Sequence, residues 1–111
     1  MPVQETLAEL AKLELVVPDL TFEKEIAISL GGRTARLVHL GPAHTRGDVV
    51  VHLPEAGVLA VGDLLEQGEP WIDENTDVAG WAAALAAIEE MNAGVLLPAH
   101  GGIQRDGSLL R

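Results

Sequence analysis

Residues 48–61, DVVVHLPEAGVLAV, set two short apolar runs on either side of Pro54 and Gly57. β-Branched side chains suit a pleated backbone, and Pro at the opening with Gly at the close of four residues reverses the chain. The two runs are expected to pair as buried antiparallel strands. They are apolar at nearly every position rather than at alternate ones, which predicts strands covered on both faces. A chain holding this hairpin must supply, or borrow, cover for two sides of a sheet.

Other segments offer part of that cover. In residues 3–15, VQETLAELAKLEL, the spacing puts Val3, Leu7, Leu10 and Ala11 on one helical face and turns Glu5, Glu9 and Lys12 away. Pro18 is expected to end that helix. LTFEKEIAISL loosely alternates Phe22, Ile26 and Ile28 with charged residues, and Gly31-Gly32 turns it into RTARLVHL, a second hairpin. Residues 64–76 lose all periodicity and read as a surface loop. Thr76 or Asp77 then caps a helix that brings Trp81, Leu85, Ile88 and Met91 to one face, with Gly94 as its stop. VLLP at 95–98 is a further buried strand, followed by a turn and a short tail. No repeat or linker divides the 111 residues, so a single domain, 1–111, is expected.

Composition narrows the chemistry. Seven Lys and Arg against 17 Asp and Glu give a formal charge of -10, a field that repels phosphate backbones and anionic lipid. Nucleic acid and membrane are therefore not expected partners. Cysteine is absent, so disulfides and thiolate metal sites are excluded and any ion must be held by His, Asp, Glu or water. The first twenty residues lack the basic start and continuous apolar core of a secretion signal, and no stretch approaches the ~20 apolar residues of a membrane span. A cytoplasmic address is the expectation.

Three polar residues share one context at the ends of the apolar runs. His44 lies in PAHTRGD, a turn that Thr45 and Gly47 permit. Asp63 closes VLAVGD, where Gly62 allows close backbone approach, and His100 stands between Pro98 and Gly101-Gly102. Strand ends gather loops into sites. Two imidazoles and a carboxylate form a borderline ligand set suited to zinc, iron or manganese. The plain alternative is turn capping, with Asp accepting backbone N–H groups and His filling a polar loop.

GPAHTRGDVVVHLP, VLAVGDLL and VLLPAHGG resemble, in this order, the third, fourth and last metal-ligand motifs of the metallo-β-lactamase superfamily, the αββα metallohydrolases. Asp63 follows His44 by 19 residues and His100 follows Asp63 by 37, which fits the family order. The likeness runs from about residue 20 to 102 and covers the family's C-terminal half. It implies an α/β (α+β) fold: half of an αββα sandwich, with a mostly antiparallel, mixed sheet and helices on one face. It also implies His44, Asp63 and His100 as metal ligands, with Asp63 bridging two zinc ions in a full site. Asp48 and Thr45 are the neighbours expected to support His44, Asp48 either by capping the turn or by holding the ligating imidazole. The family's first motif, His-x-His-x-Asp-His, does not occur in these residues. The chain thus carries three of about seven expected protein ligands. One ion held by those three and water is still conceivable, since three protein ligands and an open position make a catalytic zinc site.

Half of such a sandwich leaves one sheet face bare, with only the two helices to cover the other. Cover is therefore expected from elsewhere: a second copy, an N-terminal half-chain, or further sequence of which this chain is a fragment. His39 and His52 read as strand-face residues, Trp81 as core, Trp71 as a pocket wall or a cap on the sheet end, and Arg46 as a surface residue or a guide for an anionic substrate. Asp73, Glu74 and Asp77 read as a solvated loop and helix cap. Two functions remain open. One is hydrolysis of a thioester, lactone or lactam in a small-molecule substrate, with weak activity from this chain alone; the other is a non-catalytic remnant.

Overall fold

The computed structural model describes residues 2–110. Its elements run α1 (Val3–Leu10), β1 (Glu25–Ser29), β2 (Thr34–Val38), β3 (Val50–Leu53), β4 (Val58–Gly62), α2 (Val78–Glu90) and β5 (Val95–Pro98). The strands form one sheet in chain order, with β1 to β4 antiparallel and β5 parallel to β4. This is the mixed sheet expected from the sequence.

Each hairpin has a local cause. Gly31 and Gly32 both take positive φ, 68° and 78°, as a two-residue turn between antiparallel strands demands. A single-turn helix at Pro54–Ala56 links β3 to β4 and closes on Gly57 at φ 64°. α2 explains the parallel pairing. Its 13 residues span about 20 Å, enough to carry the chain back along a strand of four or five residues. β5 therefore starts beside the start of β4.

The core lies between α2 and one face of the sheet. Val50, Leu59, Val61 and Leu96 from the strands meet Ala84 and Ile88 from the helix, and Ala43, Leu64 and Leu65 close the cluster from the loops. Along β4 burial alternates, with Leu59 and Val61 buried and Val58 and Ala60 only half-buried. The chain itself covers one face, through α2, and leaves the other only half-buried, as half of a sandwich is expected to.

α1 does not share in that cover. None of its residues is buried, and Val3, Leu7 and Leu10 are well exposed. It stops at Leu10, well before Pro18, and so presents a stripe of only three large apolar residues. Leu13, Leu15, Val16, Val17 and Leu20 follow it exposed. At the other helix, Asp77 and not Thr76 is the cap, its carboxylate accepting the Gly80 N–H at 2.8 Å. The stop lies two residues before Gly94. Asn92 takes the left-handed conformation, φ 49°, that ends many helices. The tail is also more than a turn, because Gln104 exchanges both backbone hydrogen bonds with Leu96 and Leu110 packs on the core. Among the described residues no helix is long and apolar enough to cross a membrane.

Candidate metal centre

The sheet topology brings the three motif residues to one end. Gly62 pairs with Pro98 across the parallel strands, so Asp63 and His100 leave adjacent strands in the same direction. β3 runs against β4, and the turn that precedes Val50 therefore lies at that end too. In the loop after β4 the Leu64 N–H bonds the Val61 carbonyl, and the buried Leu64 and Leu65 anchor it. Gly62 serves here through its positive φ, 56°, rather than by close approach, for no atom stands near where its side chain would be.

His100 Nε2 lies 3.3 Å from Asp63 Oδ1 and 3.9 Å from Glu66 Oε2. One ligand atom from each of Asp63, Glu66 and His100 falls within 4.8 Å of the others. The Asp63 contact is an ion-pair approach without hydrogen-bond geometry, and Asp63 Oδ1 is shielded from solvent with no hydrogen-bond partner among the described residues. His44 lies outside this trio, yet both of its ring nitrogens are likewise buried and without partners among the described residues.

The turn that carries His44 is tightly built. Asp48 accepts the Thr45 N–H at 2.7 Å and its hydroxyl at 2.8 Å, and the Thr76 hydroxyl donates to the His44 carbonyl at 2.9 Å. Asp48 and Thr45 thus cap the turn and hold each other, and neither hydrogen-bonds the imidazole. His39 fastens the far side, its Nδ1 2.8 Å from the Asp48 carbonyl. The first turn of α2 presses against the loop so closely that a Cβ on Gly80 would overlap the Pro42 carbonyl. Trp81 then joins two loops. Its ring meets the His44 ring edge-on at 5.1 Å, and its Nε1–H donates to the Leu64 carbonyl at 2.9 Å. Trp71, in contrast, is 77% exposed and caps nothing.

Glu66 was not among the residues singled out from the sequence. Nothing in Asp63-Leu-Leu-Glu66 marks it, since the loop is aperiodic and the two carboxylates come together only once Leu64 and Leu65 are buried. Gln67 sets the distance between the loops. Its N–H donates to the His100 carbonyl at 3.2 Å, and its Oε1 accepts the Gly102 N–H at 3.3 Å.

With this geometry in place the family is defined. Residues 3–100 match the metallo-beta-lactamase superfamily, and the chain belongs to it. The metallo-beta-lactamase type 2 of Bacteroides fragilis is 29% identical over 92 residues, covering 78% of this chain and 37% of that protein. Among solved structures, the metallo-beta-lactamase from Pontibacter korlensis superposes with a TM-score of 0.75 at 30% identity, over 96% of this chain and 50% of that one. The metallo-beta-lactamase FIM-1 from Pseudomonas aeruginosa, in its mono-zinc form, gives 0.63 at 29% identity over 95% and 48%. The chain therefore spans half or less of the length of these relatives, and its fold is that of half a metallo-beta-lactamase domain.

Proposed function

We propose that this chain supplies the C-terminal share of a metal-dependent hydrolase site, with His44, Asp63 and His100 as its ligands. One observation carries the reading. Among the described residues, both His44 ring nitrogens and Asp63 Oδ1 are buried at one end of the sheet without a hydrogen-bond partner. A buried polar atom left unpaired costs about 1–3 kcal/mol, and a bound cation removes that cost. The donor set of two imidazoles and one carboxylate suits zinc, with iron or manganese as alternatives. The mono-zinc state of the Pseudomonas aeruginosa relative is in keeping with a site that holds one ion.

A bound ion at this position would polarise a substrate carbonyl and acidify a coordinated water, the chemistry that hydrolyses a thioester, lactone or lactam. The chain's own residues would orient the ligands. Trp81 and the Asp48–Thr45 pair fix the His44 turn, and Gln67 holds the His100 turn against the Asp63 loop. Beside the His44 turn a cavity of about 380 Å³ is lined by Leu20, Phe22, His39, Arg46 and Val49, a place for the apolar part of a small-molecule substrate.

The remaining ligands would come from an N-terminal half-chain, whereas a second copy would cover the bare sheet face but repeat the same three motifs. Support comes from the exposed apolar stretch at Leu13, Leu15, Val16 and Val17 and from the half-length coverage of the relatives. Hydrolysis by this chain alone is expected to be weak or absent.

Metal content with stoichiometry tests the reading. About one zinc per folded chain is expected, lost in both His44→Ala and His100→Ala. A folded wild type that takes up no zinc, iron or manganese would overturn it.

A further inference from the structure

Glu66 is left unexplained by the three motif ligands. Its side chain is 12% exposed, and Oε1 is shielded from solvent with no hydrogen-bond partner among the described residues. Among the described residues its one ion pair is with His100, at 3.9 Å, too long for a hydrogen bond. Asp63 faces the same imidazole, so two carboxylates stand within 4.8 Å of a single neutral or singly charged ring. Two ionised carboxylates this close repel each other, and a cation held between them offsets that repulsion. A water molecule can hydrogen-bond Oε1 but brings no charge to offset the pair. The placement is also built, not incidental. Leu64 and Leu65 are buried between the two carboxylates, and Gln67 is hydrogen-bonded to both His100 and Gly102.

Resting on the metal-binding reading above, we propose that Glu66 is itself a metal ligand in this chain. Glu66 then adds a second carboxylate to Asp63 and His100, whose ligand atoms fall within 4.8 Å of its own, and His44 completes the set as in the reading above. Added carboxylate oxygen makes the donor set harder than that of the motif residues alone. The site accordingly accepts manganese or magnesium more readily, relative to zinc, than two imidazoles and a carboxylate would.

The test is calorimetric titration of the metal-free chain with zinc alone and with manganese alone, on wild type, Glu66→Gln, Glu66→Asp and Asp63→Asn. Thermal unfolding in chelator is measured in parallel. Glu66→Gln keeps the side-chain volume and removes the charge. It is expected to weaken manganese binding by about tenfold or more, and zinc binding by less. Its melting temperature in chelator should be equal to or above wild type, because an uncompensated buried charge has gone. Glu66→Asp keeps the charge but withdraws it by one methylene, so it too should bind manganese more weakly.

Wild-type affinity in Glu66→Gln or in Glu66→Asp, with binding lost in Asp63→Asn, would overturn the role of Glu66 and leave the proposed function standing. A Glu66→Gln that is destabilised in chelator but binds both ions like wild type would mean a structural role, and would also overturn it. No binding of either ion to folded wild type would overturn both readings.

Discussion

Leu64 and Leu65 lie in an aperiodic loop and are 2% and 4% exposed, whereas Leu13 and Leu15, in a stretch at least as apolar, are 70% and 98% exposed. The side chains are the same, and what differs is the surface offered to them. At the end of the sheet α2 and the strands enclose a slot that leucines can fill. Residues 2–20 find no such slot within this chain. Apolar character sets how much is gained by burial, at about 25 cal/mol per Å², but a complementary face decides whether burial happens.

The largest contrast is expected between substitutions that sample the two regions. Ile88→Ala removes a side chain that is 1% exposed beneath the sheet and should cost about 2–5 kcal/mol by urea unfolding. Leu15→Ala should stay within about 0.5 kcal/mol of wild type, as surface substitutions do. If both cost several kcal/mol, residues 13–17 are buried in solution, against another copy or another chain, and the two regions are not different in kind.

A second pair of variants sharpens the comparison within the ordered end. Alanine is the better helix former by about 1 kcal/mol, so Gly80→Ala in α2 should stabilise on propensity alone. It is expected instead to destabilise by about 1–3 kcal/mol, since the new methyl overlaps the Pro42 carbonyl and must push the His44 turn aside. Gly94→Ala meets only one atom within 4 Å, the Gly57 carbonyl at ordinary contact distance, and should be nearly neutral. A stabilising Gly80→Ala would show that the turn yields freely, and the rigid mounting of His44 would have to be given up.

Trp81→Phe should have a smaller effect. It keeps a ring against His44 but removes the donor to the Leu64 carbonyl, at about 1 kcal/mol in stability. Metal affinity should fall by up to about tenfold if Trp81 aligns the His44 turn with the Asp63 loop. Unchanged affinity in a destabilised variant would confine Trp81 to the core role read from its helical spacing.

The same contrast explains what was legible in the sequence. Elements whose cause is local could be read: the Gly31-Gly32 hairpin, the turn from Pro54 to Gly57, and α2 with its cap narrowed to Thr76 or Asp77. Asp63 and His100 were marked by their position at strand ends, and the parallel pairing that sets them side by side follows from the length of α2. Glu66 was not legible, because its loop has no period and its meaning depends on Gln67 and His100, the latter 34 residues further along. The fate of α1 was not legible for a different reason. Its stripe is a correct amphipathic pattern, but a pattern cannot say that the matching surface is absent from the chain. Asn92 displaced Gly94 as the helix stop because Asn also tolerates the left-handed region, and it comes first.

The smallest effect is expected at the exposed hairpin, where burial plays almost no part. Arg36 grips Glu25 with two bonds, at 2.7 and 2.9 Å, between β2 and the edge strand β1. That hydrogen bonding, with the guanidinium charge behind it, holds the Glu25 carboxyl below its ordinary value of 4.5. A carboxylate whose folded pKa is depressed adds stability above its unfolded pKa and loses it as pH falls through the folded one. Wild type should therefore melt slightly higher than Arg36→Ala at neutral pH. The gap should close as pH drops below 4.5 and narrow with added salt, because both side chains are well exposed. A gap that persists in acid would mean that Arg36 contributes through its aliphatic stem packed on the strand pair. The edge of the sheet would then be held by the same contact burial that organises the α2 face, and the division between the two regions would be one of degree.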